Sequence, residues 1–594
     1  ERVATTTPDG LTTRFTHDHA TRTDTTILPG GTTQIETRYL DGQTKTRTGT
    51  AVIAAHYDYG VDLATGHRWS QTSVAKSDGP RWNRQTVDAL GRPIMQESPG
   101  HGDGVRLVAH TAYDERGRII ATQAGWVRPG VGAEDEKGSE FHPLGPVSLQ
   151  TYDPETGELL LSGQDLDSDE KLVPGKDRII KSERLFEKTD NTWWQVSRQW
   201  SYPIERNGKP YLVAESRQRL TRLGILNEDP ALGVLVSETI QILPETEEPR
   251  TKNPEQRSLT YRNRDTGLTT TISTDPNGLV TIQRTEGGLL TSVESYLAGS
   301  GLAGSQKQNS KTAFRYDALG RRSETVDPRT GERKTVYDPA TGRITAEIDA
   351  ENRATRYAYY PAAHPSAGRL ANVVNVDGKE QHVAYTDRGE QRAVWGESVQ
   401  PLLYEYNEYG EMVAMRTFQS TPEGDPSHVE DTGAKTAWQY HEATGALLKK
   451  AYADGHGPEY AYNEAGQLKE RRWAREHTRR VDTPVHHEAD QSDSADPKQY
   501  SQKANSKIAT SYTYDTLTAQ LTQTASTDGT NVAYAYNSEG QLAKVTDATG
   551  TREFAYDLRG QVMKESVTLQ HDPTADPIRY EIRRTYTALG QPES

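Results

Sequence analysis

Tyr316-Asp317-Ala318-Leu319-Gly320-Arg321-Arg322-Ser323-Glu324-Thr325-Val326-Asp327-Pro328-Arg329-Thr330-Gly331 holds two turns of the same chemistry around one short, polar strand. An Asp opening a four-residue turn can accept a hydrogen bond from the backbone two residues on. The closing Gly takes a left-handed conformation that costs other residues about 1–2 kcal/mol. Pro328 fits its place because its φ is already set. Gly320, Gly331 and Gly342 are each 11 residues apart, and Arg353 takes the corresponding place after another 11. Such spacing leaves roughly six residues per strand. Strands joined this tightly are antiparallel, so the stretch reads as a meander of hairpins.

The unit recurs along the chain. Tyr113-Asp114-Glu115-Arg116-Gly117, Tyr316 to Gly320 and Tyr556-Asp557-Leu558-Arg559-Gly560 are full copies, while Tyr406 to Gly410, Tyr462 to Gly466 and Tyr536 to Gly540 carry Asn for Asp. A longer form appears at Tyr152 to Gly157, at Tyr337-Asp338-Pro339-Ala340-Thr341-Gly342 and at Tyr440 to Gly445, with Tyr514 to Ala519 a decayed copy. One supersecondary unit copied this often makes an array. The expected segments are 1–162, partly degenerate hairpin repeats; 163–300, divergent extended hairpins in the same array; and 301–594, the regular array, with polar loops at 420–435 and 476–507. In the middle segment, Trp193 to Val196 and Tyr211 to Ala214 read as one long hairpin across Asn207-Gly208.

Composition points to a thin wall. Only 33% of the 594 residues are hydrophobic, with 50 Gly, 30 Pro and 30 Tyr against 6 Phe. Ordinary domains run at roughly 45–50% apolar. Glu332-Arg333-Lys334-Thr335-Val336 cannot supply the continuous apolar face that two packed sheets need. The expected fold class is therefore all-β, an antiparallel hairpin array in a spiralling, largely single-layer sheet. Paired tyrosines such as Tyr357/Tyr359 and Tyr534/Tyr536 share a face. Each ring can bury area against the next hairpin while its hydroxyl reaches water or backbone.

These motifs resemble the Rhs or YD-repeat family, whose repeat reads approximately Tyr-x-Tyr-Asp-x-x-Gly-Arg-Leu. Tyr534-Ala535-Tyr536-Asn537-Ser538-Glu539-Gly540-Gln541-Leu542 is similar to it, as is Phe314 to Arg321. The resemblance is strong over 312–594, moderate over 50–160 and weak over 163–300. It implies a hollow β-shell or part of one, as in bacterial polymorphic toxins, the B/C components of Tc toxins and, distantly, teneurins. It also implies a shell that encapsulates or presents a toxin or other cargo polypeptide, secreted or at a bacterial cell surface. The partner would be that cargo or the remaining parts of the parent protein. The family's Asp-Pro-x-Gly self-cleavage segment is not found, so the chain reads as part of a longer polypeptide without a catalytic constellation of its own. A surface adhesin or fibre binding glycans through Tyr and Trp is the alternative, and a carbohydrate-active enzyme the third reading.

A net charge of −15 argues against nucleic acid as a general partner. No apolar run approaches the ~20 residues of a membrane-spanning helix. The chain has no Cys, which removes thiol chemistry and Cys-based zinc sites. Asp165, Asp167 and Asp169 alternate in Asp165-Leu166-Asp167-Ser168-Asp169-Glu170 and could converge on calcium, although the Gly and Glu of an EF-hand loop are missing. The simpler reading, and the one favoured, is a solvated acidic turn. His486-His487-Glu488 is a weaker metal candidate, and Arg471-Arg472-Trp473-Ala474-Arg475 reads as an ion-pair network or solvated strand edge. No cofactor is expected.

Overall fold

In the computed structural model, residues 3–592 are described, except 9, 129–139, 220–227, 230, 243–254, 298–309, 420–425, 427–432, 482–501, 558, 571–575 and 587–590. They form a single sheet of 44 strands. Strands follow one another in sequence and pair antiparallel, as in Gly331–Tyr337 with Arg322–Asp327 and Ile344–Ile348. Among the described residues the helical content is a three-residue 3-10 turn, Ile204–Arg206. The strands run across a long strip, so the connections fall along its two margins. One margin carries the Tyr-Asp turns and is called here the motif edge; the other is the plain edge.

Each motif turn is built from its own side chains. Asp317 Oδ1 accepts from the backbone N–H groups of Leu319 (2.9 Å) and Arg321 (3.0 Å), and Oδ2 accepts from Arg321 Nε (2.7 Å). Asp88 with Arg92 and Asp114 with Arg118 repeat this geometry. Where Asn replaces Asp the partner changes too: Asn407 donates to Glu411, Asn463 to Gln467 and Asn537 to Gln541. An amide needs an acceptor where a carboxylate needs a donor. In the turn opened by Asp349 the left-handed place belongs to Asn352 (φ 63°), one residue before the Arg353 that the spacing suggested. Arg353 instead pairs with Asp349, as Arg321 pairs with Asp317.

The tyrosine joins one hairpin to the one before it. Tyr406 sits at a β-bulge, paired with Met412 while Glu405 pairs with Ala414, so Val413 is the extra residue. The ladder from this strand to the preceding one stops at Ala393↔Leu403, three residues short of Tyr406. The Tyr406 hydroxyl spans that gap and donates to the Gln391 carbonyl at 2.8 Å. The same rule holds for Tyr337 to Arg322 (2.9 Å), Tyr462 to Leu447 (2.9 Å), Tyr536 to Leu521 (2.9 Å) and Tyr556 to Leu542 (2.6 Å). In every case the acceptor lies two residues after the left-handed residue of the previous motif turn. The arginine of that turn often covers the next ring, as Arg118 does over Tyr152 (4.3 Å) and Arg321 over Tyr337 (4.3 Å).

The divergent middle segment uses longer strands and a different glue. Arg178–Thr189 and Thr192–Tyr202 have 12 and 11 residues, and Thr192–Tyr202 pairs onward with Tyr211–Arg219. Glu215, 6% exposed, accepts from Arg198 (2.6 Å) and Arg217 (2.5 Å), and Glu238, 3% exposed, from Arg219 (3.1 Å) and Arg257. Burial alone would raise Glu215, but the two guanidiniums outweigh it and hold the carboxyl below its usual range. The polar stretch expected as a loop over 476–507 is partly sheet, because Leu468–Val481 and Gln502–Tyr514 pair through it. Ala434–Tyr440 likewise begins inside the 420–435 stretch.

Removing one hydroxyl should test the clamp. We expect Tyr406→Phe to lower stability by about 1–2 kcal/mol, because the Gln391 carbonyl loses its partner. Tyr406→Ala should cost about 3–5 kcal/mol by also leaving a cavity. Urea unfolding midpoints measure both, and equal values for Tyr406→Phe and the parent would refute the clamp.

Candidate functional site

The strip meets itself. Loops on the plain edge of roughly the first 200 residues touch motif turns that lie 330–361 residues further along the chain. Arg81 donates to Glu411 (2.8 Å) and to the carbonyls of His441 (3.3 Å) and Glu442 (3.2 Å), with its guanidinium 3.9 Å from the Tyr409 ring. Lys76 pairs with Glu408 (3.1 Å) and Arg128 with Glu464. Arg178 donates to the Ser538 carbonyl (2.7 Å), and Glu539 accepts from the Ile204 N–H (2.9 Å). At Gly30, φ is 89° and a Cβ would lie 2.4 Å from the Pro365 carbonyl oxygen, so the approach there requires glycine.

Both partners' numbers climb together, from Gly30 and Pro365 to Ile204 and Glu539. The strip therefore passes itself in the same direction, as a spiral does; a strip folded back would pair rising with falling numbers. Twenty-five strands, Thr33–Arg38 through Ala354–Tyr359, separate the touching loops at Gly30 and Pro365. At ~4.8 Å per strand a round coil of that many has a circumference of roughly 120 Å and a diameter of roughly 40 Å. The contact line is the seam.

A recurrent fit forms this seam. A side chain from a plain-edge loop enters the notch between two successive motif turns of the next coil. Arg81 fills the notch between the turns at 407–411 and 441–446. His101 lies between the second of those turns and the one that follows it, with its ring 4.8 Å from His441 and 4.8 Å from Tyr462. Its Nε2 lies 3.0 Å from Thr444 Oγ1, and its Nδ1 is buried without a partner. Burial, and then the neighbouring His441, push the His101 imidazole below its usual value.

The structure rearranges the acidic candidate. Asp165 and Asp167 come together with Asp177 rather than with Asp169, which accepts from the Lys171 N–H within its own turn. Asp165, 1% exposed, accepts from the N–H groups of Ser168 (2.7 Å), Asp169 (3.3 Å) and Glu170 (2.8 Å). Asp177, 0% exposed, accepts from Leu166 (2.9 Å) and Val173 (2.7 Å), and Asp167 pairs with Lys176 (3.0 Å). Those donors stabilise both buried charges and shape the 166–176 loop, which lies over a trough of about 1300 Å³ lined in part by Trp69, Arg84, His110 and Phe141. Sequence spacing could not place Asp177, because it faces Asp165 only after the loop closes. His486, His487 and Glu488 lie outside the described residues. In the basic cluster, Arg471 stacks on Trp473 (3.7 Å) and Arg472 pairs with Glu470 (2.7 Å).

Residues 536–573, which include the Tyr536 to Gly540 and Tyr556 to Gly560 turns, match the family model described as RHS repeat. That stretch of the chain reads as an RHS repeat. The crystal structure of TcdB2-TccC3-TEV is similar over 99% of this chain, at 14% identity and a TM-score of 0.52. At that identity the likeness shows the fold. This chain spans only 33% of that structure's chain. Other solved structures that match include the Photorhabdus luminescens Tc holotoxin pore with a TccC3 substitution, at 12% identity over 93% of this chain and 34% of that one, with a TM-score of 0.28. Among curated proteins none matches significantly. The fold is thus that of a one-layer antiparallel β-strip, and its functional features are a wall and a seam.

The loop geometry gives a direct test of the calcium reading. Asp177→Asn should lower the melting temperature by several degrees, because the amide places an NH2 group where the backbone donors point. That loss is expected to be the same with calcium as with a chelator. A calcium-dependent melting temperature in the parent, abolished by the substitution, would instead establish a calcium site.

Proposed function

We propose that this chain is a wall segment of a secreted or surface-exposed bacterial RHS shell that encloses another polypeptide. The observation that carries the reading is the narrow range of separations of the hydrogen bonds across the seam, 330–361 residues. A coil of roughly 40 Å with a wall one sheet thick leaves an interior wide enough for an extended or partly folded chain. The seam removes one margin of each coil from solvent, and the in-order pairing leaves few open strand edges. Strand faces rich in Thr, Gln, Arg and Glu give an enclosed chain no continuous apolar surface to adhere to. The resemblance to toxin-enclosing shells agrees with this function, with the enclosed polypeptide as the partner.

Cryo-electron microscopy of the purified chain tests the enclosure. A one-layer ring with an empty centre of roughly 30 Å is expected. A solid particle without a central gap would sink the proposal.

One observation favours a second reading, contact with glycans or a neighbouring cell. On the long hairpin Arg178–Tyr202, Phe186 and Trp193 are 61% and 51% exposed and share one face with Lys188 and Gln195. On that reading a glycan array would give binding by the parent that is lost on Trp193→Ala. An array without signal would leave the wall reading alone.

A further inference from the structure

We propose that His101 and His441 form an acid-labile latch in the seam, so that protonation below neutral pH parts the two coils at this point. This goes beyond the wall function and needs no cargo. The notch that holds His101 differs from those that hold arginines. Arg81 meets a carboxylate and two carbonyl oxygens, and Arg178 meets a carbonyl oxygen and Gln164. Those notches are built for a cation. His101 meets a hydroxyl, a second imidazole and a phenol ring.

Two details make a proton unwelcome. His101 Nδ1 is buried without a partner, so an imidazolium would hold an N–H with nothing to accept it. His441 Nδ1 accepts from the Thr444 backbone N–H (3.2 Å) and lies 3.1 Å from Thr444 Oγ1. The two rings are 4.8 Å apart, so the second proton also meets the first.

The charged groups around the pair do not rescue it. On the turn that carries His441, Glu442 is exposed, and Arg81 sits on that turn's carbonyls with its own charge turned to Glu411. On the following turn Glu464 is taken by Arg128. On the His101 loop Asp103 is exposed, and Arg106, which opens the next strand, is paired with Glu97. Across the groove are His142, beside Glu140, the exposed Lys469, and Asp515, whose carboxylate is taken by the Leu517 and Thr518 N–H groups of its own turn. The parted state therefore binds protons better than the closed one. The latch holds fully above the reference imidazole value of 6.5 and weakens as pH falls below it, because the closed-state value of His101 lies lower.

The absence of cysteine makes the test specific. Asp103→Cys and Glu442→Cys would place spin labels on exposed positions across the seam. Pulsed electron resonance should show a single short distance at about pH 7.5 that is lost, reversibly, by about pH 5. Adding His101→Gln and His441→Gln should retain the short distance across that range. The proposal is overturned if the parent distance is unchanged down to about pH 5, or if the His-to-Gln variants part to the same extent. Should those variants not fold, the parent midpoint still decides: one near about pH 4 belongs to carboxylates and overturns the latch.

Discussion

A sheet one layer thick cannot rely on a core, so each hairpin must be attached to the one before it by something other than oil. In this chain that attachment is the hydroxyl of the motif tyrosine, donated to a carbonyl beside the previous turn. The β-bulge makes the bond necessary. It shifts the register at the tyrosine and leaves the ladder to the neighbouring strand three residues short of the motif edge. A phenol can close that gap because its ring packs on the neighbour's arginine while its tip stays polar. Single bonds of this kind contribute about 1 kcal/mol, but an array sums its nearest-neighbour terms.

The seam depends on that attachment. Small, similar rotations between successive hairpins accumulate over 25 strands before the coil meets itself. Any hairpin free to swing would move every later contact. Only with a uniform repeat can Arg81, His101 and Arg178 each find a notch between motif turns hundreds of residues away. The motif turn thus serves twice: its Asp or Asn shapes the loop, and its outer surface receives the next coil.

Where the tyrosine unit is absent, from about 163 to 300, charge takes over the work of cohesion. Glu215 and Glu238 are nearly as buried as the core valines, and each is held by two arginines, Glu215 by Arg198 of the neighbouring strand and Arg217 of its own, Glu238 by Arg219 and Arg257 of the strands on either side. Removing one partner of such a set leaves a buried charge uncompensated. Charged, polar strand residues are therefore what hold the wide part of the sheet. It also explains why the glutamates there are engaged in the wall itself.

Turns, strand lengths, antiparallel order and the one-layer sheet were all written in local chemistry: Asp and Gly at fixed offsets, Tyr just before the turn, and strands with almost no apolar side. The arginine after the turn glycine was also legible, since Arg92, Arg118, Arg321 and Arg343 recur at that place, but its role over the next tyrosine appears only in three dimensions. Asp177 joining Asp165, His101 meeting His441 and Arg81 meeting Glu411 left no local trace. The reason is geometric. A turn is decided by bonds within five residues, whereas the seam is decided by curvature summed over a whole coil. The Tyr-Asp unit therefore specified how the wall is laid, and only the closed spiral decided which residues meet across it.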